Sequence, residues 1–300
     1  MTGPGSGPEP TPLEPAPWDA GILLKREDVH ELGAFKWRGA LATLELWRSD
    51  VVTASTGNHG AATAWAARRL GVEATVFVPE TASASKLALL GALEAQVVEL
   101  GRDLDEAKEH ALAFARERGL RFFEDGAEPA QLDGYGTIAD ELLDQLDEVP
   151  AAVVVPVGNG ALLAGIGRML GRRAPATLRV GVAAKEAPVM VESWKEGRPV
   201  ESCSSATIAD GLAVRVAIPF AVEALAEHAD EMLLVSEREI AEAVRDYWAA
   251  GIRAEPAAAA ALAALQGLAV DGPIVLIVTG RNVDDELLER CIADPASFAG

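Results

Sequence analysis

Short apolar runs recur along this chain at residues 22–25, 51–54, 74–78, 95–100, 151–156, 178–183 and 274–279, and each reads as a strand. Between them the apolar positions take the 3.6-residue spacing of helices, over 35–46, 61–70, 83–90, 104–118, 138–146, 162–170, 220–227, 237–248 and 256–265. Phe122 and Phe123 close the first series of alternations. Strands that are apolar throughout, rather than on alternate positions, are covered by helices on both faces, so the pattern predicts mostly parallel sheets in an α/β fold. Residues 50–143 read as a smaller domain inserted into a larger one formed by 17–49 and 144–300. Residues 1–16 are rich in Pro and Gly, carry little periodicity, and are expected to form a flexible tail.

Composition narrows the function classes. Half of the 300 residues are hydrophobic, which excludes a disordered chain. Forty-six acidic against 26 basic residues give a net charge of −20, the wrong sign for a nucleic-acid surface. No uninterrupted apolar stretch reaches the roughly 20 residues of a membrane span, and the start of the chain lacks the basic and apolar regions of a signal peptide. The two cysteines, Cys203 and Cys291, offer no disulfide framework. These features lead to the expectation of a cytoplasmic protein.

Three glycine-bearing turns each follow a strand: Gly57 to Gly60, Gly158 to Gly160 and Gly280 to Asn282. In open parallel sheets ligands bind beyond such strand ends, where helix N-termini present free N–H groups. Gly158-Asn159-Gly160-Ala161 suits a phosphate cradle and reads equally well as an ordinary strand-to-helix turn; it is neither a GxGxxG nor a GxxxxGK[ST] loop. Lys36, between Phe35 and Trp37, is either a surface lysine or, if it faces the same cleft, an amine suited to covalent chemistry. Asn58 and His59 can cap the helix they begin or serve a ligand. No G-x-S-x-G elbow supports a hydrolytic triad, and metal-ligand spacing is absent.

In order along the chain, Leu24-Lys25-Arg26-Glu27-Asp28, Gly33 to Ala40, Thr53 to Gly60, Pro156 to Leu162, Thr207 to Gly211, Glu255-Pro256 and Thr279 to Asn282 resemble the motifs of the serine/threonine dehydratase branch of fold-type II, tryptophan-synthase-β-like pyridoxal phosphate enzymes. The resemblance covers nearly the whole chain after the first 16 residues. It implies two open, mostly parallel sheets covered by helices, with pyridoxal phosphate in the cleft between domains, a small amino-acid substrate and a homodimer. By resemblance Lys36 carries the cofactor and moves the α-proton, Phe35 packs near its ring, and Asn58 bonds its phenolic oxygen. Gly158, Asn159, Gly160 and Ala161 cradle the phosphate, Gly211 lies near the cofactor, and Thr279 faces the pyridine nitrogen. Ser55, Thr56, Gly57, Asn58 and His59 form the loop that holds the substrate carboxylate.

The implied reaction is deamination of a small β-hydroxy amino acid such as L-threonine or L-serine to a 2-oxo acid and ammonia. Several departures bear on it. Ala34 stands where the family usually has Ser, and Asn159 and Ala161 interrupt an all-glycine phosphate loop. The family's His-Pro-Phe stretch is missing from residues 122–133, and Tyr135 is expected to enter the pocket and alter which side chain fits. Residues 181–184 lack the acidic residue of a divalent-cation site found in some relatives, so no metal is expected. Thr56 stands where related serine racemases carry Ser, and Thr56-Gly57-Asn58 is also similar to threonine synthases. Racemisation, β-replacement and a cofactor-binding protein without turnover therefore stand as alternatives.

Overall fold

The computed structural model describes residues 8–201 and 205–299. Its order is β1 (Leu13–Ala16), β2 (Asp19–Arg26), α1 (Trp37–Trp47), β3 (Val51–Ala54), α2 (Asn58–Leu70), β4 (Ala74–Val78), α3 (Ala84–Ala92), β5 (Gln96–Glu99), α4 (Leu104–Arg118), β6 (Arg121–Phe122) and α5 (Pro129–Asp144). It continues with β7 (Ala152–Pro156), α6 (Ala161–Arg173), β8 (Leu178–Ala184), α7 (Val189–Glu196), α8 (Pro219–His228), β9 (Glu231–Val235), α9 (Glu237–Ala249), α10 (Pro256–Ala263), β10 (Ile274–Val278) and α11 (Asp285–Ala293).

Two sheets result. The larger runs β1-β2-β10-β7-β8-β9 and the smaller β5-β4-β3-β6. Every pairing is parallel except that of β1 with β2. The apolar runs have a direct cause in this layering. Val154, Leu276 and Val278 point into a core shared with α9, α10 and α11. Their neighbours Val153, Val155, Val275 and Ile277 point into the opposite core, shared with α5, α6 and α8. In the smaller sheet Val51, Val76 and Val78 meet α1 and α2, while Val52 and Phe77 meet Ala111 and Ala115 of α4. Full burial of each such side chain stabilises by about 1.5–3 kcal/mol.

The described part of the expected tail is ordered. Leu13–Ala16 forms the antiparallel edge strand β1, and Thr11 is buried. Thr11 Oγ1 donates to Glu27 Oε1 (2.5 Å), and its carbonyl accepts from Lys25 Nζ (2.7 Å). Residues 1–7 lie outside the described residues, as does Cys203. Cys291 is a buried free thiol. No described helix is long and apolar enough to cross a membrane.

Candidate active site

Lys36 is placed by the crossover from the larger sheet to α1. Phe35 N donates to Thr279 O (3.0 Å) and Arg281 N to Gly33 O (2.9 Å), so the segment before Lys36 lies along the one that follows β10. Gly33 is required here. Its φ is +65°, and a Cβ would come within 2.5 Å of Asn282 Oδ1. The loop after β3 leads into α2 from the other side, and the turn after β7 leads into α6.

These segments open onto one cleft of ≈ 520 Å³. Phe35, Lys36, Ser55, Thr56, Gly57, Asn58, His59, Gly158, Asn159, Gly160, Gly211 and Thr279 all line it. Twelve residues singled out from sequence are thus brought together from five separate stretches of chain. Two are not. Ala161 is fully buried behind the turn, and its N–H donates to Asn159 Oδ1 (3.1 Å). Tyr135, expected to enter the pocket, is buried behind Phe35 with ring centroids 5.1 Å apart. Gly39 admits it there, since a Cβ on Gly39 would lie 2.7 Å from the phenol oxygen. Burial raises the Tyr135 phenol well above its ordinary pKa and keeps it protonated.

The N-termini of α2 and α6 face the cleft, and the first N–H groups of each have no acceptor within their own helix. In the loop before α2, Ser55 N is bonded to Phe77 O and Gly57 N to Ser55 Oγ. The amides left to an anion are that of Thr56 and those of the helix start, from Asn58 onward. Asn58 is held at both ends: Asn282 Nδ2 donates to its Oδ1 (2.8 Å), and its Nδ2 reaches Glu255 Oε2 (3.4 Å). Burial raises the Glu255 carboxyl from 4.5 to about 7, against the opposing influence of Asn58 and Lys36. The start of α6 is equally close-packed. Gly160 has φ +92°, and a Cβ on Gly158 would lie 2.2 Å from Gly211 O.

Asp125 is the functional group that sequence reasoning missed. Its Oδ2 lies 2.7 Å from Lys36 Nζ. Its Oδ1 accepts from Gln131 Nε2 (3.3 Å) and lies 3.6 Å from His59 Nδ1. The preceding stretch is pinned: Phe123 N donates to Val52 O (2.7 Å), and Thr53 Oγ1 and His59 Nε2 both reach Phe123 O. Because that carbonyl can only accept, His59 Nε2 carries the proton. Burial lowers the His59 pKa more than Asp125 raises it, so the imidazole is neutral at pH 7. Burial also opposes ionisation of Asp125. The Lys36 ammonium and the hydrogen bonds from Lys36 and Asn159 outweigh it, and the carboxyl stays well below its ordinary value.

A lysine amine, two helix N-termini, an oriented side-chain amide and the Thr279 hydroxyl on one cleft are a donor set that fits pyridoxal phosphate. The amine can hold the aldehyde, the Gly158–Gly160 turn the phosphate, Asn58 the phenolic oxygen and Thr279 the ring nitrogen. Comparison with known proteins agrees. The family model "Pyridoxal-phosphate dependent enzyme" matches residues 6–280. The L-threonine ammonia-lyase of Thermotoga maritima is 35% identical over 279 residues, covering 90% of this chain and 69% of that protein. The processed form of threonine deaminase isoform 2 from Solanum lycopersicum superposes with a TM-score of 0.90 at 32% identity, covering 97% of this chain and 89% of that one. Maize serine racemase superposes with a TM-score of 0.85 at 25% identity, covering 96% and 93%. The chain belongs to the fold-type II pyridoxal-phosphate-dependent enzymes, in their threonine/serine ammonia-lyase branch.

Proposed function

We propose that this chain carries pyridoxal phosphate on Lys36 and deaminates a small β-hydroxy amino acid, L-threonine or L-serine, to a 2-oxo acid and ammonia. The observation that carries the reading is the convergence of Lys36, the Asn58 turn, the Gly158–Gly160 turn and Thr279 on one cleft. Similarity to L-threonine ammonia-lyases over most of the chain supports it. When bound, the cofactor supplies an electron sink for the substrate's Cα and a phosphate that can assist the leaving hydroxyl.

The protein's own groups supply the rest. The free N–H groups at the start of α2 hold the substrate carboxylate and fix the direction of the Cα–H bond. Lys36 Nζ then takes the α-proton. Thr279 offers a neutral hydroxyl where a carboxylate would enforce a positive ring, which suits rapid loss of a β-substituent better than a long-lived carbanion. Phe35 and the buried Tyr135 form an apolar wall behind the amine that limits water on that side.

The test is 2-oxo acid release from L-threonine and L-serine by the loaded protein, with Lys36→Ala beside it. Release that disappears in the variant, together with the lysine-dependent absorbance of bound cofactor, is the expected result. An absorbance band unchanged in Lys36→Ala sinks the assignment. One observation favours a second reading, racemisation: Thr56 lines the cleft and carries a hydroxyl able to return a proton. Appearance of D-serine from L-serine without oxo acid is its signature.

A further inference from the structure

The segment after β10 carries two side chains that the proposed reaction does not use. Arg281 and Asn282 follow Thr279 and Gly280, and both turn back onto the stretch that leads to Lys36. Arg281 Nη1 donates to Asp28 O (2.6 Å), and the Arg281 main-chain N–H donates to Gly33 O (2.9 Å). Asn282 Nδ2 donates to Leu32 O (2.7 Å) and to Asn58 Oδ1 (2.8 Å). Asn282 lines the cleft and is exposed there, so its place is set by the main chain around it. That chain comes close: a Cβ on Gly33 would lie 2.5 Å from Asn282 Oδ1.

These bonds have a direction. The two ends of an asparagine amide have nearly the same shape and opposite hydrogen-bonding character. Leu32 O can only accept, so the Asn282 atom beside it is the nitrogen. That nitrogen has two protons, one for Leu32 and one for Asn58, and the Asn58 atom it meets is therefore the oxygen. The other end of Asn58 is then the nitrogen. It reaches Glu255 Oε2 at 3.4 Å, a long bond that takes one of its two protons. Glu255, when ionised, can only accept and favours the same orientation. One N–H of Asn58 is left for the cleft that this residue lines. Through Asn282, the Leu32 carbonyl thus decides that Asn58 offers the cleft a donor and not an acceptor.

We infer that Asn282 is a positioning residue that holds the Asn58 amide with its N–H end toward the cofactor's phenolic oxygen. The inference rests on the reading above, in which Lys36 carries pyridoxal phosphate with Asn58 at that oxygen. An ionised phenolic oxygen only accepts, so a donor already turned toward it makes a charge-assisted bond at once. An amide free to turn must be ordered on binding, which costs affinity. One held the other way round sets an acceptor against an acceptor.

The experiment titrates the full chain with two cofactors, pyridoxal phosphate and 3-deoxypyridoxal 5′-phosphate, which lacks only the phenolic oxygen. The preference for the first over the second reports the interaction at that oxygen, and effects on the rest of the site cancel. Asn282→Asp keeps the shape of the side chain, cannot donate when ionised, and draws the N–H end of Asn58 away from the cleft. The expected result is a preference about 10-fold smaller than in wild type, with affinity for the deoxy cofactor changed by less than about 2-fold. Asn282→Ala frees the amide without reversing it. It lowers the preference by a smaller factor, about 3-fold, and carries the test if the aspartate variant does not fold. In an Asn58→Ala background neither substitution changes the preference. A preference unmoved by both substitutions overturns the inference, as does equal weakening of both cofactors, which is what a merely structural role gives. A fall that persists without Asn58 also overturns it. Wild type whose cofactor absorbance is unchanged in Lys36→Ala defeats the cofactor reading, and the inference with it.

Discussion

Glu255 is only 8% exposed and sits beneath Asn58, the amide expected to hold the cofactor's phenolic oxygen. Burial moves its carboxyl from 4.5 to about 7. Between those values the unfolded chain has released a proton that the folded chain still holds, so stability falls as pH rises through this window. The difference corresponds to about 3 kcal/mol, present in full below pH 4.5 and lost by about pH 7. Glu255→Gln should flatten this part of the profile of the cofactor-free protein, as measured by urea unfolding at pH 5 and pH 8. An unchanged slope would mean that Glu255 is already neutralised by a partner. Sequence placed Glu255 in a motif without giving it a role. Asp125 was harder still: nothing local marks it, and only the absence of the family's His-Pro-Phe stretch singles out its neighbourhood. Its meaning comes from Lys36, 89 positions away.

At the scale of elements, the mutual position of α1 and α5 matters most, since Lys36 begins the first and Asp125 precedes the second. The two helices touch backbone to backbone. A Cβ on Gly134 would lie 2.3 Å from the carbonyl oxygen of Arg38, and neither main chain can yield cheaply. Gly134→Ala should therefore destabilise the fold by about 1–3 kcal/mol, read as a lowered urea midpoint at unchanged slope. Midpoints equal within error would show that the helices separate freely. Elements like these were legible in sequence because their cores are double-sided. The strands at 51–54 and 74–78 and the helix at 104–118 have the bounds that their apolar patterns indicate. What escaped was short or diluted. β1 reads Leu-Glu-Pro-Ala in a Pro-rich stretch and exists only through its pairing with β2; α7 is eight residues long; β9 starts on an acidic residue at the sheet edge.

For the molecule as a whole, a buried charge network fastens the first described residues to the rest. Arg38 Nε and Nη2 bond Glu27 at 2.8 and 2.9 Å, and Nη1 bonds Glu141 at 2.6 Å. Glu141 in turn meets Lys25, which holds the Thr11 carbonyl. The Glu27 side chain has no exposure to solvent and Arg38 only 2%. Arg38→Leu strands a buried carboxylate and should cost about 3–5 kcal/mol in urea unfolding. A loss below about 1 kcal/mol would place the network among surface-like pairs.

The strand order of the larger sheet has an implication for biosynthesis. β10 is the last of the described strands to leave the ribosome, yet it lies in the middle, hydrogen-bonded to β2 on one side and β7 on the other. Until residues 274–278 emerge, those two strands have no partner between them and present open edges that invite wrong pairing. The smaller sheet, whose strands all come from residues 51–122, has no such wait. Thr279 follows β10 directly and holds the backbone before Lys36. The nascent chain therefore acquires its central strand and the last wall of its cleft together, after the other described strands have emerged.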